Sequence, residues 1–217
     1  MKYFLFILLS LIVFSCKKEI TEEKPISVET KSSAELDKLR YEFLNQILSE
    51  DVQKNSIEGI NMSSLYQISL KKINLPENKL VSNNEEPLPP PGLYLAIRYD
   101  SLFLEKDSLF YISESKDLEN FKFDKSLIKE KLDYINWEEL NNFSIDNRSD
   151  FWVNFNKKYP DTCIKTFSVP FFNKEKNICI ITYSSSCGPL WGGGFTGIYK
   201  KENGKWKMIN MLNSWVS

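Results

Sequence analysis

Phe195-Thr196-Gly197-Ile198-Tyr199-Lys200-Lys201-Glu202-Asn203-Gly204-Lys205-Trp206-Lys207-Met208-Ile209-Asn210-Met211 sets two β-rich runs on either side of an Asn-Gly pair. Asn-Gly supplies the two positive φ values that a two-residue hairpin turn requires, so Glu202 to Lys205 marks a tight reversal. Working backward, Ile164 to Val169 and Ile178 to Ser184 are further short runs rich in β-branched and aromatic residues, and Ser214 to Ser217 can extend the last strand. Strands this close in sequence pair with their neighbours. The expectation is an α+β fold: a C-terminal antiparallel β-meander packed with short helices on one face, preceded by an amphipathic helix.

That helix is the clearest upstream signal. Leu36, Leu39, Phe43, Leu44, Ile47 and Leu48 recur at the three-and-four spacing of one helical face. Ser32-Ser33-Ala34-Glu35 reads as a capping box at its start, and the pattern fades near Gln53. Tyr66 to Leu70 alternates weakly and reads as one short strand. Ser82 to Gly92, SNNEEPLPPPG, then breaks the chain, because its prolines donate no hydrogen bonds and hold an extended backbone. The expected organisation is an N-terminal helical segment over 34–81, a Pro-rich connector over 82–92 and an α+β domain over 93–217. Within the last, Leu93 to Tyr99 reads as a strand. Asp107 can cap a helix running to Lys116 with Leu109, Phe110 and Ile112 facing inward. Ser149 can cap a short helix, Asp150 to Lys158, whose aromatic face is Phe151, Trp152 and Phe155 and which Pro160 stops.

Met1 to Cys16, MKYFLFILLSLIVFSC, carries the address. Lys2 is a positive start, and Tyr3 to Phe14 is apolar except for Ser10. A helix of that length rises roughly 18 Å, short of the ~30 Å a spanning helix must cross. Residues 1–15 therefore read as a signal peptide rather than an uncleaved anchor. Val13-Phe14-Ser15-Cys16 resembles the lipobox of bacterial lipoproteins, which implies cleavage before Cys16 and attachment of diacylglycerol and an acyl chain such as palmitate there. The other reading is ordinary secretion with an accidental cysteine. Residues 16–33 are charged, lack apolar periodicity and read as a disordered tether about 20 to 25 Å from end to end. The implied location is the cell envelope, on the outer membrane or its periplasmic face, with the membrane itself as a partner through the lipid.

Composition excludes several functions. The net charge is -1, and only Arg40, Arg98 and Arg148 offer the planar fork that binds phosphate bidentately. Nucleic acid is therefore not an expected partner. There is no histidine, which removes the Ser-His-Asp and Cys-His nucleophiles and the common zinc and haem sites. No catalytic residue, metal ligand or cofactor is expected. Cys163, Cys179 and Cys187 allow at most one internal bridge, and Cys179, inside Ile178-Cys179-Ile180-Ile181, reads as a buried small hydrophobe.

One stretch is a candidate site. Ser184 to Gly194, SSSCGPLWGGG, joins two strands with eleven residues and gathers a thiol, an indole, hydroxyls and four glycines. Cys187, Gly188, Trp191, Gly192, Gly193 and Gly194 would form a ligand or partner loop, with Trp191 as its apolar anchor and the glycines freeing backbone N–H donors. The competing reading is a wide, bulged β-turn with Trp191 folded over the sheet edge. The stretch matches neither a Walker loop nor a nucleophile elbow.

Phe171 to Lys176, Cys187 to Gly194, Lys200 to Lys207 and the closing Trp215-Val216-Ser217 resemble the C-terminal pattern of uncharacterised lipoproteins from Bacteroidetes-type bacteria. The likeness covers roughly Asp100 to Ser217 and includes the helix from Asp150 to Pro160. Many such relatives carry a cysteine where this chain has Trp191, closing a small bridge. Here Cys187 is left unpaired, or paired with Cys163. The resemblance implies compartment and fold but no activity. The expected function is a membrane-anchored lipoprotein that binds a protein or small molecule without catalysis. The alternatives are a carboxylate-based hydrolase, drawing on Glu138, Glu139, Asp146 or Asp150, and a surface inhibitor or immunity-type protein.

Overall fold

The structure, a computed structural model, describes residues 29–57, 62–76, 94–144 and 151–217. The signal peptide with Cys16, residues 17–28 of the tether, the connector over 82–92, Asp146, Arg148, Ser149 and Asp150 lie outside them. Helix α1 (Glu29–Ile57) leads into strands β1 (Ser63–Ser69), β2 (Lys72–Asn74) and β3 (Tyr94–Ala96). Helix α2 (Ser108–Glu119), strand β4 (Asp133–Tyr134), helix α3 (Trp137–Asn141) and helix α4 (Phe151–Lys158) follow. The chain closes with β5 (Thr162–Ser168), β6 (Phe171–Phe172), β7 (Ile178–Gly188), β8 (Trp191–Glu202) and β9 (Lys205–Val216).

The fold is α+β with an antiparallel meander, β7-β8-β9, at the C-terminus. Asn203 and Gly204 take φ values of 51° and 78° at the β8–β9 turn, as the Asn-Gly pair requires. The main sheet runs β4-β1-β5-β7-β8-β9, with β6 also paired to β7. Its β4-β1 and β1-β5 pairs are parallel, so the sheet is mixed. β2 and β3 form a separate parallel pair. β1 therefore lies inside the main sheet, and α1 and the described residues 62–76 share a core with the C-terminal part.

Helices cover both faces of the sheet, which corrects the expectation of one. Side chains alternate along each strand. Tyr66, Phe167, Ile181 and Tyr199 face α1, where they pack on Leu36, Phe43, Leu44, Ile47 and Leu48. Ile178, Ile180 and Ile198 face the other way, against Tyr111 and Leu118 of α2. Leu65 and Ile164, also on that far side, pack against Leu140 and Phe155 of α3 and α4. Cys179 is fully buried, as expected.

Local details differ from the sequence reading. α1 begins at Glu29, so Ser32 and Glu35 lie within it rather than at its start. Asp107 stands at the N-cap of α2 but makes no capping bond; its Oδ1 accepts a hydrogen bond from Lys174 Nζ at 2.8 Å instead. Leu109 is 81% exposed, and α2 turns Tyr111, Glu114 and Leu118 inward. The β5–β6 edge is offset at Ser168 to Pro170, where the Thr182 N–H donates to Ser168 Oγ at 2.8 Å.

Candidate functional site

The stretch expected to be an eleven-residue loop is instead strand nearly throughout. Ser184, Ser185 and Ser186 pair with Gly194, Gly193 and Gly192, leaving only Pro189 and Leu190 as the turn. The register shifts between Ser186 and Gly188, so Cys187 is the extra residue of a bulge. Because β8 lies between β7 and β9, its backbone groups serve the ladders: Gly193 and Gly194 also pair with Val216 and Trp215, and the Gly192 carbonyl accepts the Ser217 N–H at 2.9 Å. Gly192, Gly193 and Gly194 thus do not form a cradle of free donors. Gly188 sits beside the turn, near Trp191 Cβ.

What the stretch does contribute is the mouth of a slot. β5 and β7 run in a register that places Ile164 opposite Ser186, and the next pair outward is Cys163 and Cys187. These form a disulfide with Cα atoms 4.1 Å apart, which settles the alternative left open for Cys187. The slot, about 350 Å³, lies between the C-terminal half of α1 and the sheet, with the disulfide in its wall and Trp191 at its rim. Trp191 is 61% exposed.

Two chemically different walls face each other. The sheet side offers Tyr183, Phe195 and Tyr199, with the Tyr183 and Phe195 rings 5.3 Å apart. The helix side offers Glu50, Asp51, Lys54 and Asn55, consecutive turns of α1. Lys165 crosses between them from β5. Its buried ammonium donates to Asp51 Oδ2 at 2.8 Å, Asp51 Oδ1 at 3.0 Å and Asn55 Oδ1 at 2.9 Å. Asp51 Oδ2 also accepts the Tyr66 hydroxyl at 2.8 Å. Burial, with the Asp51 carboxylate beside it, pushes the Tyr66 phenol far above its ordinary range, and burial does the same for Tyr199. Both phenols stay protonated at neutral pH. Lys165 has three acceptors for its three donors, so this cluster clamps α1 to the sheet and leaves no free amine to attack a substrate.

Of the hydrolase candidates, Asp146 and Asp150 lie outside the described residues, and Glu138 and Glu139 are the two that can be placed. Glu139 accepts from Lys158 Nζ at 2.7 Å and from the Tyr159 hydroxyl at 2.6 Å, and those bonds hold its carboxyl below the usual range. Glu138 is exposed. Among the described residues no group of His, Cys, Asp and Glu is placed to hold a metal ion, and no helix is long and apolar enough to cross a membrane.

Sequence reasoning found Cys187 and Trp191 but missed Asp51, Asn55, Lys165, Tyr183 and Phe195. Lys165 and Asp51 are 114 residues apart. The available signal was a single charge inside the β-rich run Ile164-Lys165-Thr166-Phe167, which needs a buried partner. Compared with known proteins, the chain matches no family, no curated protein and no solved structure.

Proposed function

We propose that this chain is a cell-envelope lipoprotein, anchored through lipid on Cys16, that binds a small molecule or a partner's side chain in the slot under α1 and catalyses no reaction. The observation that carries the binding reading is the slot itself: an aromatic wall, a polar wall with its buried charges already paired, and a half-open indole at the rim. Its volume is at the lower end of the range for ligand pockets. Three features support the compartment: the short apolar leader ending in Ser15-Cys16, the Cys163–Cys187 disulfide, a bond that persists in oxidising compartments, and the resemblance to Bacteroidetes-type lipoproteins.

The test is a melting-temperature screen of the intact chain against small aromatic amines, carboxylates and zwitterions. Ser185→Tyr fills the slot and Trp191→Ala opens its rim. A binder that stabilises the natural chain, loses its effect in Ser185→Tyr and weakens in Trp191→Ala supports the reading. A binder indifferent to both substitutions overturns it, as does a fall of many degrees in the melting temperature of Trp191→Ala without ligand, which would make Trp191 structural.

A further inference from the structure

The face of the sheet turned away from α1 carries a second, chemically distinct opening. Two apolar clusters occupy most of that face, one under α3 and α4 around Leu65 and Ile164, the other under α2 and the β2–β3 pair around Ile180 and Ile198. Between them the inward-facing positions change from aliphatic to hydroxyl. Thr166 on β5 lies opposite Ser184 on β7, Ser184 opposite Gly194 on β8, and Gly194 opposite Trp215 on β9. The next row places Thr182 opposite Thr196. Paired residues of adjacent strands share a face, so these side chains form one strip across four strands.

The strip floors a groove of about 590 Å³ walled by Tyr94 and Trp215. The groove continues into a recess of about 330 Å³ that shares Tyr94, Thr196 and Asn213. Covering hydroxyls with apolar side chains would cost free energy at each unpaired group, which accounts for the gap between the two clusters. Thr196 sharpens the point. It is 8% exposed and lines both openings, so a molecule in either one meets it. A hydroxyl on the wall of both openings can donate to and accept from an occupant of the groove.

Trp215 is held for contact. A Cβ on Gly194 would lie 2.7 Å from Trp215 Nε1 and 2.9 Å from Cε2, so the indole rests on the space left by the missing side chain. The ring is nevertheless 45% exposed. Charge is sparse here. Lys71 is the charged side chain of the larger opening, and Arg98 and Asp100 in the recess are of opposite sign.

We propose that this groove binds a neutral carbohydrate chain. Sugar rings present apolar C–H faces that stack on an indole, and rims of hydroxyls that both donate and accept. Thr182, Ser184 and Thr196 offer matching hydroxyls, and Thr166, whose hydroxyl donates to Gln67 Oε1 at 3.2 Å, offers an acceptor. A phosphate or acidic ligand would want convergent Arg or Lys instead. This site stands on the opposite face from the slot and does not depend on it.

The experiment is calorimetric titration of the intact chain with neutral oligosaccharides built from glucose, galactose, mannose and N-acetylglucosamine, with inorganic phosphate and an acidic oligosaccharide as comparisons. At least one neutral series should bind at concentrations up to about 10 mM, and Trp215→Ala should weaken it about tenfold or more. Thr196→Val, which keeps shape and removes only the hydroxyl, should also weaken it without lowering the melting temperature. Ser185→Tyr, which blocks the slot on the other face, should leave it unchanged. The proposal fails if no neutral oligosaccharide gives a saturable signal, or if binding survives Trp215→Ala and disappears in Ser185→Tyr. It fails equally if only the acidic sugar or phosphate binds, with an affinity that collapses in salt.

Discussion

Arg40 of α1 and Glu114 of α2 meet at 3.2 Å with neither side chain reaching solvent. Glu114 Oε1 also accepts the Phe172 N–H of β6 at 3.1 Å, so one carboxyl joins both helices to the edge of the sheet. Arg40 is further held by Asp37 at 2.6 Å and lies over the Phe121 ring. Burial raises the Glu114 carboxyl to about 7, against the opposing pull of Arg40 and of the Phe172 N–H. Its Oε2 has no hydrogen-bond partner among the described residues, an arrangement that a protonated carboxyl tolerates better than a charged one.

The pH dependence follows from that raised value. Between about 4.5 and 7 the folded protein holds a proton on Glu114 that the unfolded chain has released, so this group stabilises the fold fully below that window and the contribution is lost as pH rises through it. The size is on the order of 3 kcal/mol. Urea midpoints of the natural chain should therefore rise as pH falls from 8 to about 5, and Glu114→Gln should flatten the slope. An identical slope in both proteins would show that Glu114 does not titrate in this range.

Removing the other half of the pair tests the same geometry. Arg40→Leu leaves Glu114 buried without its cation and should cost about 3 to 5 kcal/mol at pH 8, where the carboxylate would otherwise be charged. The loss should be smaller at pH 5. A uniform loss at both pH values would mean that packing, and not charge, is what Arg40 supplies.

Thiol chemistry separates the three body cysteines. Cys179 is the free thiol and is buried, with its pKa raised by burial, so the folded Cys16→Ser chain should not react with a maleimide. Unfolding without reductant should expose one thiol, and unfolding with reductant three. Replacing Cys163 and Cys187 together by Ala opens a 24-residue loop and should cost about 3 kcal/mol. Three reactive thiols on unfolding without reductant would contradict the Cys163–Cys187 pair.

Adjacent glycines should respond differently to the same substitution. A Cβ on Gly194 would fall 2.6 Å from the Tyr183 carbonyl oxygen, which is backbone and cannot move aside, whereas one on Gly193 would meet the Trp215 carbonyl at 3.3 Å. Gly194→Ala should destabilise by about 1 to 3 kcal/mol and shift Trp215 emission, while Gly193→Ala stays within about 1 kcal/mol. Equal losses in thermal melts would show that the glycines serve the chain's freedom and not the seat of the indole.

The lipid anchor has its own test. If the proposed anchor is correct, Cys16→Ala should yield a precursor that carries no lipid label and leaves the membrane fraction, because two or more acyl chains give stable attachment where none remains in the variant. Membrane retention unchanged by the substitution would end the lipoprotein proposal.

Much of the fold was legible because its signals are local. The Asn203-Gly204 turn needs only two residues in the left-handed region, and the apolar face of α1 needs only contacts one turn apart, so both follow from a few neighbouring side chains. The β-branched run beginning at Ile178 marked a strand but could not tell how far it ran. Ser184 to Gly194 looked like a loop because serine and glycine are poor strand formers, and the two ladders on β8 override that preference.

By itself the sequence determined that helix, that hairpin, the α+β class and the absence of histidine chemistry. The mixed strand order was decided only in three dimensions, as were the helices on both faces, the partner of Cys187, the Asp51–Lys165 clamp and the hydroxyl strip beneath Trp215. Each of these depends on register between segments far apart in the chain, where a shift of one residue turns every side chain to the opposite face. Local preferences do not encode that register; it is set by which buried faces and paired polar groups can be satisfied together.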